Sequence, residues 1–180
     1  MSLAFVFPGQ GSQSPGMLAA LAAAEPVVEE TFAEASAVLG YDLWRLCQQG
    51  SEAELGSTEK TQPAMLAGGV AVWRAGRHHD GPRPVAMAGH SLGEYTALVC
   101  SGAIDFAAAI DLVRFRGQVM QQAVPLGQGA MAAILGLEDD ALAAACREAE
   151  QGEVVEPVNF NAPGQVVIAG HVSAVARALD

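Results

Sequence analysis

A glycine-flanked serine stands where an apolar run meets a helical pattern. Gly89-His90-Ser91-Leu92-Gly93 follows PVAMA (84–88) and opens LGEYTALV (92–99). G-x-S-x-G at a strand-to-helix junction demands a sharp turn, because bulky side chains beside the serine would clash with the strand and the helix. That junction points to the α/β class, and the surrounding sequence agrees. LAFVF (3–7) reads as a buried strand and PGQGSQSPG (8–16) as a turn-rich loop. PVAMAG (84–89) reads as a second short buried strand. Helical patterns cover 26–40, with Pro26 in the first turn and Gly40 as C-terminal cap, and then 42–49. Further helices are read over 61–79 with Pro63 in the first turn, about 91–100, and 105–123 opening at Asp105. Apolar residues make up 51% of the chain and aromatics 6%, with many alanines, which suits closely packed helices.

The rhythm then changes. A strand at 129–136, a helix at 138–152, a strand pair at 154–162 and 164–170 joined by Pro-Gly, and a helix from 172 give the order β-α-β-β-α. This is a ferredoxin-like β-α-β-β-α-β unit without its last strand. The expected organisation is therefore 1–125 and 126–180. Two strands cannot bury the inner faces of about five helices in the first part, since parallel strands come in larger sheets covered on both faces. The sequence is accordingly expected to be the N-terminal portion of something longer.

Composition excludes several classes. A formal net charge of -11 disfavours nucleic acid or an anionic membrane as partner. No apolar run is long enough to span a bilayer, and nothing resembles a signal peptide. Cys47, Cys100 and Cys146 are far apart with no CxxC spacing. That argues against a disulfide framework or a zinc site and fits a reducing cytosol.

Two readings of Ser91 stand side by side. It is a nucleophile whose oxygen is raised at a helix N-terminus, where N–H groups and the helix dipole favour a developing oxyanion. Or it is an ordinary N-cap, since Ser91 and Glu94 also satisfy a capping box. Arg116 is the second candidate. On helix 105–123 its neighbours at three and four residues are Leu112, Val113, Val119 and Met120, all apolar. A guanidinium on such a face needs an anionic partner, either a substrate carboxylate or a structural ion-pair partner. Arg114 instead neighbours Ile110, Asp111, Gly117 and Gln118.

FPGQGSQ (7–13) together with GHSLGEY (89–95) resembles the malonyl-CoA:acyl-carrier-protein transacylases and the related acyltransferase domains of polyketide synthases. The likeness continues through Arg116-Gly117, GAMAAILGL and PVNFNAPGQVVIAG. The resemblance implies an α/β-hydrolase-like core, incomplete in this chain, with an inserted ferredoxin-like subdomain. It implies that Ser91 attacks the thioester of malonyl-CoA and passes the malonyl group to the pantetheine thiol of acyl carrier protein, in fatty acid synthesis. It places the oxyanion hole at the backbone N–H groups of Gln10 and Leu92. Gln10 lies in a glycine-flanked loop directly after a strand, which a plain turn would also explain. The resemblance further gives Arg116 the malonyl carboxylate, and His90 and Gln62 the lining of the substrate site. No metal or redox cofactor is implied, and a cytoplasmic enzyme, monomeric at full length, is expected.

A serine needs a base near neutral pH. The family's catalytic histidine lies in its C-terminal half, and none of His78, His79, His90 or His171 matches that position. The chain alone is therefore expected to be catalytically impaired. His78 and His79 read as solvated and His171 as a cap or surface residue. The competing readings are a serine esterase, which shares the elbow but does not need Arg116, and a truncated fragment that only binds ligand or partner. A polyketide-synthase domain is disfavoured, because SLAFVFPGQGSQ begins without a linker.

Overall fold

The computed structural model describes residues 2–125 and 127–180. Leu126, on which the sequence boundary between the two parts falls, lies outside the described residues. The chain forms two compact units, Met1–Gln121 and Gln122–Asp180.

In the first unit, β1 (Ala4–Phe7) pairs in parallel with β2 (Ala86–Gly89), with Phe7 opposite Gly89. The helices are α1 (Ala19–Ala22), α2 (Val27–Leu39), α3 (Leu43–Gln49), α4 (Glu52–Gly56), α5 (Thr58–His78), α6 (Leu92–Cys100) and α7 (Phe106–Ala123). Local chemistry sets their ends. Gly40 closes α2 at φ 77°, a left-handed conformation that glycine adopts without strain. The Asp42 carboxylate accepts from the Arg45 N–H at 2.9 Å to start α3, and Ser51 and Glu54 form a capping box on α4. Asp105 accepts from the Ala108 N–H at 3.0 Å ahead of α7.

The short helices α1 and α4 have no counterpart in the sequence reading; four and five residues carry too little periodicity. Helix α5 begins three residues earlier than read, at Thr58, because the Lys60 and Thr61 N–H groups already bond the Ser57 carbonyl. Pro63 therefore sits in the second turn rather than the first.

The core gathers Phe32, Leu43, Leu66, Leu92, Ile110 and Val113, all essentially inaccessible to solvent. One face of the strand pair joins the helices. Phe5 meets Trp73 of α5 edge to face at 5.4 Å, and Phe7 is buried. The other face is open: Val6 is 76% exposed, and Ala4, Ala86 and Ala88, which share its face, are exposed too. The expectation of strands buried on both sides is thus corrected: among the described residues the helices cover one side only.

In the second unit, β3 (Gly129–Leu135), α8 (Asp139–Glu150), β4 (Val155–Ala162), β5 (Gln165–His171) and α9 (Val172–Leu179) follow one another. The sheet is antiparallel in the order β3-β5-β4. Ile168, Val166 and Val155 pack under Leu142, Cys146 and Val175, while Met131 and Leu135 on the opposite face are exposed. Arg177 ties α9 to the end of α8 by donating to the Ala149 and Glu150 carbonyls, where the helix dipole favours a cation.

The cysteines are free. Burial pushes the Cys47 and Cys100 thiols up to about 12 and also raises Cys146, so none is prone to ionise near neutral pH. Among the described residues no helix is long and apolar enough to cross a membrane.

Candidate active site

Ser91 occupies the turn between β2 and α6 at φ 51° and ψ -107°. A non-glycine residue there is strained by about 1–3 kcal/mol, and such strain persists only where the surroundings enforce it. The glycines show what enforces it. A Cβ on Gly89 would overlap the backbone carbonyl of Gly93, and one on Gly93 would overlap the Phe7 carbonyl oxygen. A Cβ on Gly9 would come within 2.9 Å of the His90 carbonyl oxygen. The loop after β1 is therefore pressed against the Ser91 turn, which brings the segment holding Gln10 to the start of α6.

The Ser91 side chain makes no capping hydrogen bond. This corrects the capping-box alternative: the positive φ aims the hydroxyl away from the first helical turn. Instead Ser91 Oγ accepts from Arg116 Nη2 at 3.0 Å. Arg116 Nη1 donates to Gln62 Oε1 at 2.8 Å, and the guanidinium lies 5.6 Å from the Tyr95 ring centroid, within cation–π range. Three of the candidates, Ser91, Arg116 and Gln62, thus form one hydrogen-bonded chain.

The environment of Arg116 differs from the sequence expectation. Of its four apolar neighbours only Val113 is buried; Leu112, Val119 and Met120 are 42%, 47% and 47% exposed. The apolar stripe is real, but it does not form a core face here, and Arg116 is half-buried. Among the described residues no carboxylate pairs with it, which removes the structural ion-pair alternative there. Arg114 is the one that pairs, with Asp111 at 2.5 Å.

Gln62 is wholly buried in α5, and its Nε2 donates to Met120 Sδ at 3.3 Å. Sequence reading does not single out Met120 or Tyr95 as site residues. Their signals are spacing: Met120 is one helical turn past Arg116, and Tyr95 lies four residues past Ser91 on α6. Among the described residues the Gln10 and Leu92 N–H groups meet no backbone or side-chain acceptor. The Gln10 side chain makes a long 3.4 Å bond to Thr58 Oγ1.

The histidines stand apart from this chain of contacts. Among the described residues none hydrogen-bonds Ser91. His90 is exposed. His79 is not merely solvated: it bonds Glu25 at 2.5 Å, and that bond and the Glu25 charge raise its pKa. His171 Nδ1 accepts from the Val154 N–H at 3.0 Å, a local structural role. No cluster of metal-ligating side chains occurs among the described residues. A cavity of about 860 Å³ runs along β2 between Trp73 and Glu94 but is not lined by Ser91.

The chain is similar over nearly its whole length to known proteins. The malonyl CoA-acyl carrier protein transacylase of Escherichia coli strain K12 is 65% identical over 175 residues, covering 97% of this chain and 57% of that relative. The structure of the malonyl CoA-acyl carrier protein transacylase from Coxiella burnetii superposes with a TM-score of 0.97 at 54% identity, over 99% of this chain and 57% of that one. A malonyl-transacylase solved in complex with a type II PKS acyl-carrier protein gives a TM-score of 0.96 at 62% identity, over 99% and 58%. The chain thus spans somewhat more than half the length of these relatives. The family model for the acyl transferase domain matches residues 4–180, and the chain belongs to that family.

Proposed function

We propose that this chain carries the nucleophile and the acyl-carboxylate site of a malonyl-CoA:acyl-carrier-protein transacylase. The single observation that carries this reading is the Arg116–Ser91 contact at 3.0 Å. The guanidinium, which has no carboxylate partner among the described residues, lies beside the proposed nucleophile, and its planar fork suits the free carboxylate of a malonyl thioester. Ser91 attacks the thioester carbon of malonyl-CoA, CoA leaves as the thiol, and a seryl ester remains. The pantetheine thiol of acyl carrier protein then takes the malonyl group. The backbone N–H groups of Gln10 and Leu92 stabilise the oxyanion formed in each half-reaction. Gln62 steadies Arg116, and His90 lines the site from the neighbouring position. The relatives' names and the carrier-protein complex support this assignment.

The first unit is read as the N-terminal part of an α/β-hydrolase-like core, about residues 1–125. The second, about 126–180, is read as a ferredoxin-like subdomain, a reading supported by its antiparallel order β3-β5-β4. No cofactor enters this chemistry, because a thioester and an oxygen ester exchange without redox change. A cytoplasmic setting agrees with three unpaired cysteines.

The test is the fate of the acyl group. With malonyl-CoA and pantetheine-loaded carrier protein, the expected product is malonyl-carrier protein, with release of free malonate at least tenfold slower. Malonate release that carrier protein does not suppress would identify a serine esterase instead.

A further inference from the structure

Arg116 is held by two hydrogen bonds of unequal character. On one side Gln62 is wholly buried, and its amide is fixed by Nε2 donating to Met120 Sδ at 3.3 Å, which leaves Oε1 for Arg116 Nη1 at 2.8 Å. On the other side the acceptor is the Ser91 hydroxyl at 3.0 Å. The Tyr95 ring, 5.6 Å away, supports the guanidinium. One arm is therefore rigid, and the other rests on a single neutral oxygen. A carboxylate offers two anionic oxygens in the geometry that a guanidinium fork matches, so it displaces a hydroxyl from such a donor.

We propose that Arg116 is handed over from Ser91 to the carboxylate of the incoming acyl group, so that binding of the selected substrate frees the nucleophile. This deepens, and rests on, the carboxylate reading of Arg116 given above. A hydroxyl has one proton and two lone pairs. The Arg116 N–H occupies one lone pair and makes the oxygen a poorer nucleophile while the site is empty of substrate. An acyl group without a carboxylate, such as acetyl, loses twice: it forms no ion pair, and it leaves the serine engaged. The Gln62 arm persists through the exchange and keeps the guanidinium oriented.

Malonate itself is the probe, and no turnover is needed. Titration of malonate into the ¹⁵N-labelled 180-residue chain is followed by amide spectra, with acetate in parallel, for the parent, Ser91→Ala and Arg116→Ala. If Ser91 competes for the guanidinium, removing its hydroxyl tightens malonate binding about three- to tenfold, the equivalent of one ordinary hydrogen bond, and acetate shows no matching gain. Binding by the parent that is unchanged or weaker in Ser91→Ala overturns the handover and leaves the carboxylate reading standing. No malonate binding to the parent or to Ser91→Ala, or equal binding by Arg116→Ala, overturns the carboxylate reading and the handover with it. Should the Ser91→Ala spectrum show a lost fold, Ser91→Gly, which suits φ 51°, decides in the same way.

Discussion

Replacing Arg116 by alanine is expected to lower the rate of Ser91 acylation by malonyl-CoA about 10- to 100-fold while leaving the acetyl-CoA rate undiminished. The magnitude follows from a charge-assisted, bidentate pair with a substrate carboxylate, about 1.5–3 kcal/mol in a half-exposed setting. The asymmetry between the two substrates is the informative part. Arg116 donates to the Ser91 hydroxyl as well as meeting the acyl carboxylate in the proposed reading, so a role confined to the serine would change both rates by the same factor. Arg116→Lys keeps the charge but not the fork, and should recover part of the malonyl rate only. The measurement is the pair of acylation rates for each variant. Equal changes for malonyl and acetyl would assign Arg116 to the serine rather than to the substrate.

The second large effect concerns stability. Gly93→Ala is expected to destabilise the fold by about 3 kcal/mol or more, because its Cβ would meet the Phe7 and Pro8 carbonyl oxygens, which are backbone and cannot rotate away. For a chain of this length that corresponds to a fall in Tm of roughly 6–12 °C. Gly76→Ala is the control. It lies within α5 and its Cβ would meet nothing within 4 Å. A helical alanine there should be neutral or raise Tm by a few degrees, since alanine is favoured over glycine by about 1 kcal/mol in a helix. Thermal unfolding of the two variants beside the parent checks both expectations. Equal Tm values would mean that α6 is not pressed against the end of β1 as described.

The Ser91 turn is legible from sequence because its constraint is local. Gly89 and Gly93 are spaced to clear one another and the neighbouring strand, and the strand-turn-helix order places them at a junction. Arg116 is legible in identity but not in surroundings. Its apolar neighbours suggest a buried face, whereas Leu112, Val119 and Met120 stay largely exposed, since periodicity records which residues share a face and not what covers it. The open sides of β1 and β2 illustrate the same point: apolar strands imply burial, but burial depends on partners that one segment does not specify. Gln62 is the opposite case. A lone glutamine in a helix carries no signal in its own pattern and is named only through the family resemblance; its two amide partners come from the contact of α5 with α7. Pro63 misplaced the start of α5 by three residues because a first-turn proline is the commoner pattern, and here the Ser57 carbonyl starts the helix earlier.

The proposed function requires Ser91 to accept an acyl group. Among the described residues no histidine bonds it, and loss of a catalytic base costs about 10⁴- to 10⁶-fold. From a typical kcat of about 10 s⁻¹, acylation would then take from minutes to about a day. Intact-protein mass after a day with malonyl-CoA, with Ser91→Ala beside it, tests this most directly. One malonyl adduct, mapped to the peptide containing Ser91 and absent from the alanine variant, is the expected result. An unmodified mass, or an adduct that persists in Ser91→Ala, would contradict it.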